Sequence, residues 1–249
     1  MTKLIGPNPG SVVRKSILLM SLALAGVNAQ AELSGNIGVF SKYVLRGITT
    51  TTENNGAVVQ GGFDYAHESG LFAGYWGSSL SYAGADSNPS TDAEFENDFY
   101  AGWAGDVGAV NLNAGLIYYY YMDTEDANGF EFAGSVGAGP VTLGVKYLLE
   151  DVLWGNQGDT YVTLGASQAL PSDFEVSATA GYYFYGDEGD FVAETAESSG
   201  FRHLDLSLAH PVGNTGADMS VTYIVGGDDR NGVRQEDTVV LGVKYGFDI

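Results

Sequence analysis

The 249-residue chain contains no cysteine and only six prolines. Without disulfides, a chain of this length has to be stabilised by a complete core or by a closed sheet. After its N-terminal region it has no stretch of 18 mostly apolar residues, which excludes membrane-spanning helices. Lysine and arginine are few, ten against 31 aspartates and glutamates, so the chain lacks the basic surface that nucleic-acid binding requires.

Glycine and tyrosine are abundant instead, with 36 and 16 residues respectively. Glycine and aromatic residues on alternating strands are typical of a barrel whose outer surface meets lipid headgroups. The composition therefore favours a β-barrel over a helical protein.

Residues 1–31 have the organisation of a secretory signal peptide. A basic start is followed by an apolar stretch, 16–27, which is shorter than the roughly 20 residues that span a bilayer. Ala29-Gln30-Ala31 fits the small-x-small cleavage pattern, with Ala29 as an alternative site. We predict a cleaved signal over 1–31 and an acidic mature domain over 32–249.

The pattern that decides the fold begins directly after this signal. Ile37, Val39 and Tyr43 fall on odd positions, and Lys42 and Arg46 fall on even positions. Period-two alternation is typical of a strand with one apolar and one polar face. The segment 71–82 has the same kind of alternation, and it is predicted to turn these apolar residues outward: Phe72, Trp76, Leu80 and Tyr82.

Twelve segments of this kind follow one another: 33–46, 57–67, 71–82, 95–104, 109–122, 130–138, 141–149, 160–169, 174–185, 201–210, 217–225 and 238–247. Short connections rich in turn-forming residues alternate with longer ones, which is the pattern of outer-membrane barrels with short periplasmic turns. Most segments exceed the usual length of about 5–6 residues in globular sheets, which disfavours a soluble sandwich. The prediction is an all-β fold, a closed antiparallel transmembrane up-and-down β-barrel of about 12 strands, with ten or fourteen as alternatives.

The same alternation predicts which polar side chains point into the barrel, because a charge facing lipid costs about 2–4 kcal/mol for Arg or Lys. The predicted pore-lining residues are Lys42, Arg46, Gln60, Asp64, Glu96, Asp98, Glu131, Lys146, Glu175, Arg202, His203, Asp205 and Lys244. They are expected to form a salt-bridge lattice that fills a narrow lumen, a charged constriction that sorts solutes, or both in part.

The long connections are acidic, which favours cations at a pore mouth, but none matches the twelve-residue calcium loop, so no metal ligands are assigned. His67 and Ser69 share one short turn, and His203 and Asp205 share one strand face; neither pair makes a catalytic site on spacing alone. No cofactor and no enzymatic activity are predicted.

The last segment ends in an aromatic pattern, with Gly242, Tyr245 and Phe247, although Asp248 and Ile249 follow it. This pattern resembles the C-terminal signal that outer-membrane barrels present to the barrel-assembly machinery. We therefore expect that machinery, outer-membrane lipid and lipopolysaccharide as partners, and no nucleic acid.

Four stretches carry a family resemblance: Ser34-Gly-Asn-Ile-Gly, Ser41-Lys-Tyr-Val-Leu-Arg-Gly47, Val59-Gln-Gly-Gly-Phe-Asp-Tyr65 and His67-Glu-Ser-Gly-Leu-Phe-Ala-Gly-Tyr-Trp76. In these stretches the chain resembles the TorF family of proteobacterial porins. The resemblance implies an outer-membrane channel and supplies no catalytic residues.

The predicted function is a porin-like channel of the Gram-negative outer membrane, reached by signal-peptide-directed export. It would pass small hydrophilic solutes or ions by passive diffusion and favour cations, because its mouth is acidic. The alternative is a non-conducting barrel that acts as a surface-binding or structural protein through its acidic loops. An outer-membrane enzyme is the third class considered.

Overall fold

A computed structural model describes residues 31–49, 56–82, 93–122 and 124–249. These residues form a closed barrel in which every strand pairs antiparallel with its neighbours in sequence, and the first strand pairs with the last. The strands are β1 (Glu32–Phe40), β2 (Val58–Ala66), β3 (Leu71–Tyr82), β4 (Ala93–Val107), β5 (Val110–Tyr121), β6 (Gly129–Ala138), β7 (Val141–Leu148), β8 (Thr160–Ala169), β9 (Glu175–Phe184), β10 (Ser199–Pro211), β11 (Ala217–Gly226) and β12 (Thr238–Asp248). The predicted twelve-strand antiparallel barrel is confirmed.

Several predicted features lie outside the described residues. They are the signal segment except Ala31, parts of two long connections at 50–55 and 83–92, and the acidic residue Asp123. Among the described residues, no helix has the length and apolar character needed to cross a membrane. Glu125–Ala127 and Pro171–Asp173 each form a single 3-10 turn.

The outer surface of the barrel is apolar because alternate residues of each strand point away from the interior. On this face, at least half of the surface of each of these side chains is exposed: Ile37, Val39, Leu164 and Val243. An uncovered apolar band around a closed barrel is what a lipid-facing surface requires.

The two ends of the barrel differ in how the strands are connected. The short turns, such as the ones at Gly70, Gly108 and Gly139, use glycine at positive φ, a conformation that L side chains adopt only with strain. We call this the short-turn end and the opposite one the long-loop end. Both chain termini of the barrel domain lie at the short-turn end, because the strand number is even.

The third strand faces the opposite way from the prediction. Phe72 and Leu80 are buried inside the barrel, and Trp76 packs there against other apolar side chains, whereas Leu71 and Tyr75 point outward. Alternation alone is ambiguous in β3, because both of its faces carry aromatic or aliphatic residues. The more apolar face turns inward because this part of the interior is packed protein.

The first strand is shorter than predicted, since it ends at Phe40 and the predicted strand continues to residue 46. Residues 41–49 leave the wall and fold into the interior, so Tyr43 is buried inside, whereas its odd position in the alternation predicts a side chain on the outer, apolar face. Lys42 and Arg46 therefore point into the interior from an inserted segment, and the wall strand does not carry them.

Candidate functional site

The site occupies the interior at the long-loop end and is built around residues 41–49, which we call the inserted segment. Its start is held beside β12, where the Ser41 amide donates to the Leu241 carbonyl at 2.8 Å and Lys42 Nζ donates to Thr238 Oγ1 at 2.7 Å. Its end is held by Thr49, whose amide donates to Gln235 Oε1 at 3.0 Å. Between these anchors the segment projects into the lumen, and its Arg46 side chain reaches β6 and β9 on the far wall.

A tight turn centred on Arg46 and Gly47 reverses the inserted segment. The Ile48 amide donates to the Leu45 carbonyl at 2.9 Å, and the two central residues, Arg46 and Gly47, have φ values of 49° and 73°. Positive φ at both central positions is the geometry of a type I′ turn. Glycine accepts it freely, but arginine does not, so contacts of its side chain have to hold Arg46 there.

Arg46 reaches the far wall and makes those contacts. Its Nη2 lies 2.6 Å from Glu131 Oε2 on β6, and its Nη1 donates to the Tyr183 hydroxyl on β9 at 2.6 Å. The guanidinium also stacks over the Tyr161 ring, 5.1 Å from its centroid. The Arg46 and Glu131 side chains are 7% and 1% exposed, so this is a buried, charge-assisted pair.

Glu131 is shared with a second cation. Lys146 Nζ on β7 lies 3.6 Å from the same Oε2 atom and donates to the Tyr119 hydroxyl at 3.2 Å. Tyr119 in turn donates to Glu131 at 2.7 Å. Two cations and one phenol therefore converge on a single carboxylate, which compensates its removal from water.

The other arm of the inserted segment joins β4. The Tyr43 hydroxyl donates a short hydrogen bond to Glu96 Oε2, and Asp98 lies two residues further along the same inner face. Val44 and Leu45 pack against an apolar cluster made of Phe40, Tyr43, Val58, Ile224 and Val240. The segment is thus seated by apolar packing as well as by charge.

A β-bulge in β10 places two side chains against the turn of the inserted segment. The register shifts between Phe201 and His203, so Arg202 is an extra residue in β10, and both Arg202 and His203 point inward. Both residues were predicted to face the interior, although strict alternation does not allow this for two adjacent residues. Arg202 Nε donates to the Arg46 carbonyl at 3.0 Å. A Cβ at Gly47 would collide with Cβ of His203, so only glycine fits there.

His203 links two further side chains. Its Nε2 shares a hydrogen bond of 2.6 Å with the Tyr161 hydroxyl, and its Nδ1 lies 2.7 Å from Asp205 Oδ1. The other candidate pair, His67 and Ser69, also makes a contact, 2.8 Å between Nδ1 and Oγ, within an exposed short turn. Neither arrangement brings a serine or cysteine to a base inside the barrel.

Loops interlock above the inserted segment. Arg230, between β11 and β12, pairs closely with Asp159 before β8, and its guanidinium lies 5.1 Å from the Tyr185 ring centroid. Trp154 Nε1 donates to the Ala127 carbonyl at 2.9 Å and its ring lies edge-on to Tyr119. Asp159 is therefore buried in a structural contact and does not belong to a solvated acidic rim.

Two loop residues have altered acidities. Burial raises the pKa of the Tyr185 hydroxyl to about 12. A hydrogen bond from the Tyr223 hydroxyl, at 2.7 Å, and one from the Gly226 amide, at 3.1 Å, lower the pKa of Asp237. Asp237 therefore remains a carboxylate and pins the start of β12 to β11.

The interior of the short-turn half differs in kind. Its inner face consists largely of small or polar residues that are half-buried or exposed: Ser34, Asn36, Gly74, Ser135, Gly137, Thr142, Gly144, Thr163, Gly165, Ser167, Thr179 and Ser220. Asp64 accepts a short hydrogen bond from Tyr100 here, and Lys244 is half-buried. We call this region the vestibule.

Six of the predicted interior residues fall into two clusters. The structure brings together Arg46, Glu131 and Lys146 in one cluster, and Arg202, His203 and Asp205 in another. Glu96 and Asp98 lie beside the first cluster. Gln60 is buried on the inner face of β2, Lys42 is near β12, and Glu175 and Lys244 stand apart from both clusters on the inner face.

Tyrosines complete the site, and the sequence analysis did not identify them as interior residues. They are Tyr43, Tyr119, Tyr121, Tyr161 and Tyr183. The parity of β5 and β9 was the available signal, because Tyr119 and Tyr183 lie out of phase with the outward positions of their strands. Among the described residues, no group of three or more metal-ligating side chains that could hold a metal ion is found.

The closed twelve-strand antiparallel barrel is a fold that solved outer-membrane barrel proteins share. The barrel is similar to the KdgM porin, with a TM-score of 0.51 and 9% identity over 86% of this chain and 99% of that one. It is similar to an outer-membrane channel from Pseudomonas putida F1, with a TM-score of 0.50 and 8% identity over 93% and 100% of the two chains. At these identities the likeness shows the fold.

Outer membrane phospholipase A from Escherichia coli is less similar, with a TM-score of 0.42 and 11% identity over 87% of this chain and 90% of that one, too low to carry an argument about activity. No curated protein matches the chain. The chain belongs to the family described as "Bacterial protein of unknown function (Gcw_chp)", whose model matches residues 24–231.

Proposed function

We propose that this protein is an outer-membrane channel for small hydrophilic solutes or ions, whose narrowest passage is formed by the inserted segment. The observation that carries the proposal is the projection of residues 41–49 into the lumen, where Arg46 pairs with Glu131. A polar vestibule leads to it from the short-turn end. The similarity of the barrel to the KdgM porin and to the P. putida channel supports a channel, and so does the sequence resemblance to TorF porins.

The orientation follows from the connections. Short turns face the periplasm in outer-membrane barrels, so the vestibule opens to the periplasm and the interlocked loops face outward. Export by the signal segment, assembly through the C-terminal strand, and contact of the apolar band with lipid and lipopolysaccharide belong to the same proposal.

Cations are favoured because carboxylates exceed cations on the inner face. Asp64, Glu96, Asp98, Asp106, Glu131, Glu175, Asp205 and Asp218 face inward, against Lys42, Arg46, Lys146, Arg202 and Lys244. Fixed negative charge in a narrow, low-dielectric passage attracts cations and repels anions.

Planar-bilayer recording of the refolded protein tests the channel. We expect small, cation-selective conductance steps, and larger steps for Arg46→Ala, because that change frees the turn from β6 and β9. Thr163→Ala, in the vestibule wall, is the matched control and should leave the step size unchanged. Absence of steps in both the wild type and Arg46→Ala would refute the channel and leave the barrel intact.

The packing of the long-loop half favours one second candidate, a non-conducting barrel that works through its outer loops. The Asp159–Arg230 pair and Trp154 order those loops into a fixed surface. Shortening the loop between β9 and β10 separates the two functions. Loss of binding to lipopolysaccharide or another surface component, with permeability unchanged, would favour this candidate.

A further inference from the structure

Two neighbouring carboxylates on β4 are enclosed in the barrel without a cation of their own. Glu96 is 0% exposed and Asp98 is 6% exposed. Glu96 Oε1 and Asp98 Oδ1 are buried and have no hydrogen-bond partner among the described residues. Buried carboxylate oxygens in proteins are normally paired, because an unpaired buried charge costs several kcal/mol.

The surrounding charges do not balance. Arg46 and Lys146 both converge on Glu131, at 2.6 and 3.6 Å. Arg202 donates to the carbonyl oxygens of Arg46 and Asp228 instead of a carboxylate. The cluster of Glu96, Asp98 and Glu131 with Arg46 and Lys146 therefore contains three carboxylates and two cations, which leaves one negative charge in excess.

Neutral oxygens lie in the same rows of the wall. Gln60 and Ser78 are register partners, and Ser78 is the partner of Glu96, so their side chains share one inward row, where both are buried. The Tyr43 hydroxyl closes this row from the inserted segment through its hydrogen bond to Glu96 Oε2. Carboxylate, amide and hydroxyl oxygens are the ligands that hard cations prefer.

We propose that Glu96 and Asp98 form a binding site for one monovalent inorganic cation, Na⁺ or K⁺, with the oxygens of Gln60 and Ser78 beside it. One positive charge balances the cluster, whereas a divalent ion would leave it positive. A proton shared between the two side chains, donated by one carboxyl to the unpaired oxygen of the other, would also balance the charge; a Tm that is the same in all salts would indicate that occupant instead. A metal ion between the two side chains satisfies both oxygens.

The wall supplies a route to this site. Asp64, Asp98 and Glu96 lie in three successive inward rows of β2–β4, starting with Asp64, which is half-buried at the vestibule. A cation that enters from the short-turn end meets one carboxylate per row. The role of the site in permeation rests on the channel function proposed above, whereas the binding itself does not.

Thermal unfolding of the refolded full-length barrel in detergent tests the binding. The barrel is heated in choline chloride, NaCl, KCl or LiCl at constant ionic strength, and Tm is followed by heat-dependent gel migration and tryptophan fluorescence. We expect Tm to rise with NaCl or KCl along a saturating curve, by about 5–10 °C at a hundred times Kd. Choline is too large to enter and should give no such rise.

Glu96→Gln and Asp98→Asn each remove the excess charge, and both should abolish the cation-dependent shift. Asp106→Asn is the matched control, because Asp106 lies on the inner face of the same strand but is exposed at the short-turn end. It should keep the full shift. If either β4 variant fails to fold, line broadening of ²³Na by the wild-type barrel, reversed by K⁺, measures the binding directly.

A wild-type Tm that is the same in all four salts, with no ²³Na broadening, would overturn the proposal, and so would a shift that survives in both β4 variants. The bilayer experiment is independent of this result. A saturable shift without conductance would support the cation site and refute the channel, and conductance without any cation-specific shift would do the reverse.

Discussion

The long-loop half of the interior is filled with large aromatic and charged side chains packed on the inserted segment, whereas small polar residues line the short-turn half. Tyr119, Glu131 and Leu148 in the first region are almost completely buried, and Ser167 in the second is exposed. The same strands run through both regions and keep the same apolar outer face. Only the inward-facing residues of the strands differ between the two regions.

The two halves of the barrel therefore have different structural requirements. The hydrogen-bonded wall provides closure everywhere, so the vestibule needs no core of its own. In the long-loop half, burial of charge makes geometry demanding, because each carboxylate has to find specific partners. We therefore expect substitutions in the two halves to have very different consequences.

The largest effect is expected for Arg46→Met. This change keeps much of the side-chain volume but leaves Glu131 with only Lys146, 3.6 Å away, as a cation. Breaking a buried pair on one side costs about 3–5 kcal/mol, measured as the free energy of unfolding in detergent with urea. The double variant Arg46→Met with Glu131→Gln should recover most of the lost stability. Equal stabilities for Arg46→Met and the wild type would show that the buried Arg46–Glu131 pair does not stabilise the barrel.

Gly47→Ala should come next. Its φ of 73° is strained for alanine, and the new methyl group would collide with His203. The expected loss is about 1–3 kcal/mol in the free energy of unfolding. Gly200→Ala is the control, since no atom lies within 4 Å of its Cβ position; similar losses for both would mean that the turn does not rest on His203.

Thr179→Trp tests the vestibule by filling it. Thr179 is half-buried, and its register partner on β8 is Gly165, which leaves room for a ring. Stability should stay within about 0.5 kcal/mol of the wild type, while single-channel conductance should fall. A large loss of stability would indicate that the short-turn half is packed as tightly as the long-loop half.

The smallest effect is expected at Asp237. Its pKa is lowered in the folded state by the Tyr223 hydroxyl and the Gly226 amide. Its contribution to stability is therefore present above the ordinary Asp value of about 3.9 and is lost as pH falls through the lowered pKa. Tm of the wild type should decrease slightly more than Tm of Asp237→Asn between pH 5 and 3, and Tyr223→Phe should behave like Asp237→Asn.

The barrel could be predicted from local patterns because strand alternation and turn residues act over a few positions. The bounds of β3 and β8 agree with the prediction to the residue. The inserted segment could not be predicted, because Tyr43 and Leu45 keep the odd apolar positions of β1 and Lys42 and Arg46 keep the even polar ones, although Ser41 and Val44 are out of phase. Only the glycine at position 47 marks a turn, and a turn does not reveal that the chain folds inward.

The partners inside the barrel are distant in sequence, which explains why the candidate list was useful but incomplete. Arg46 and Tyr183 are 137 positions apart, and Arg230 and Asp159 are 71 apart. Parity identified Glu131 and Lys146 as interior residues, but it contains no information on which cation meets which carboxylate. The tyrosines were overlooked because an aromatic residue on a barrel strand is equally suited to a lipid interface.

The attachment of the inserted segment to β12 also bears on how the chain assembles. β1 is synthesised first and pairs with the last strand, and Ser41 and Lys42 bind Leu241 and Thr238 at that same junction. Closure of the cylinder and completion of these two anchors are therefore coupled. While the seam between β1 and β12 is open, the start of the inserted segment lacks both of them.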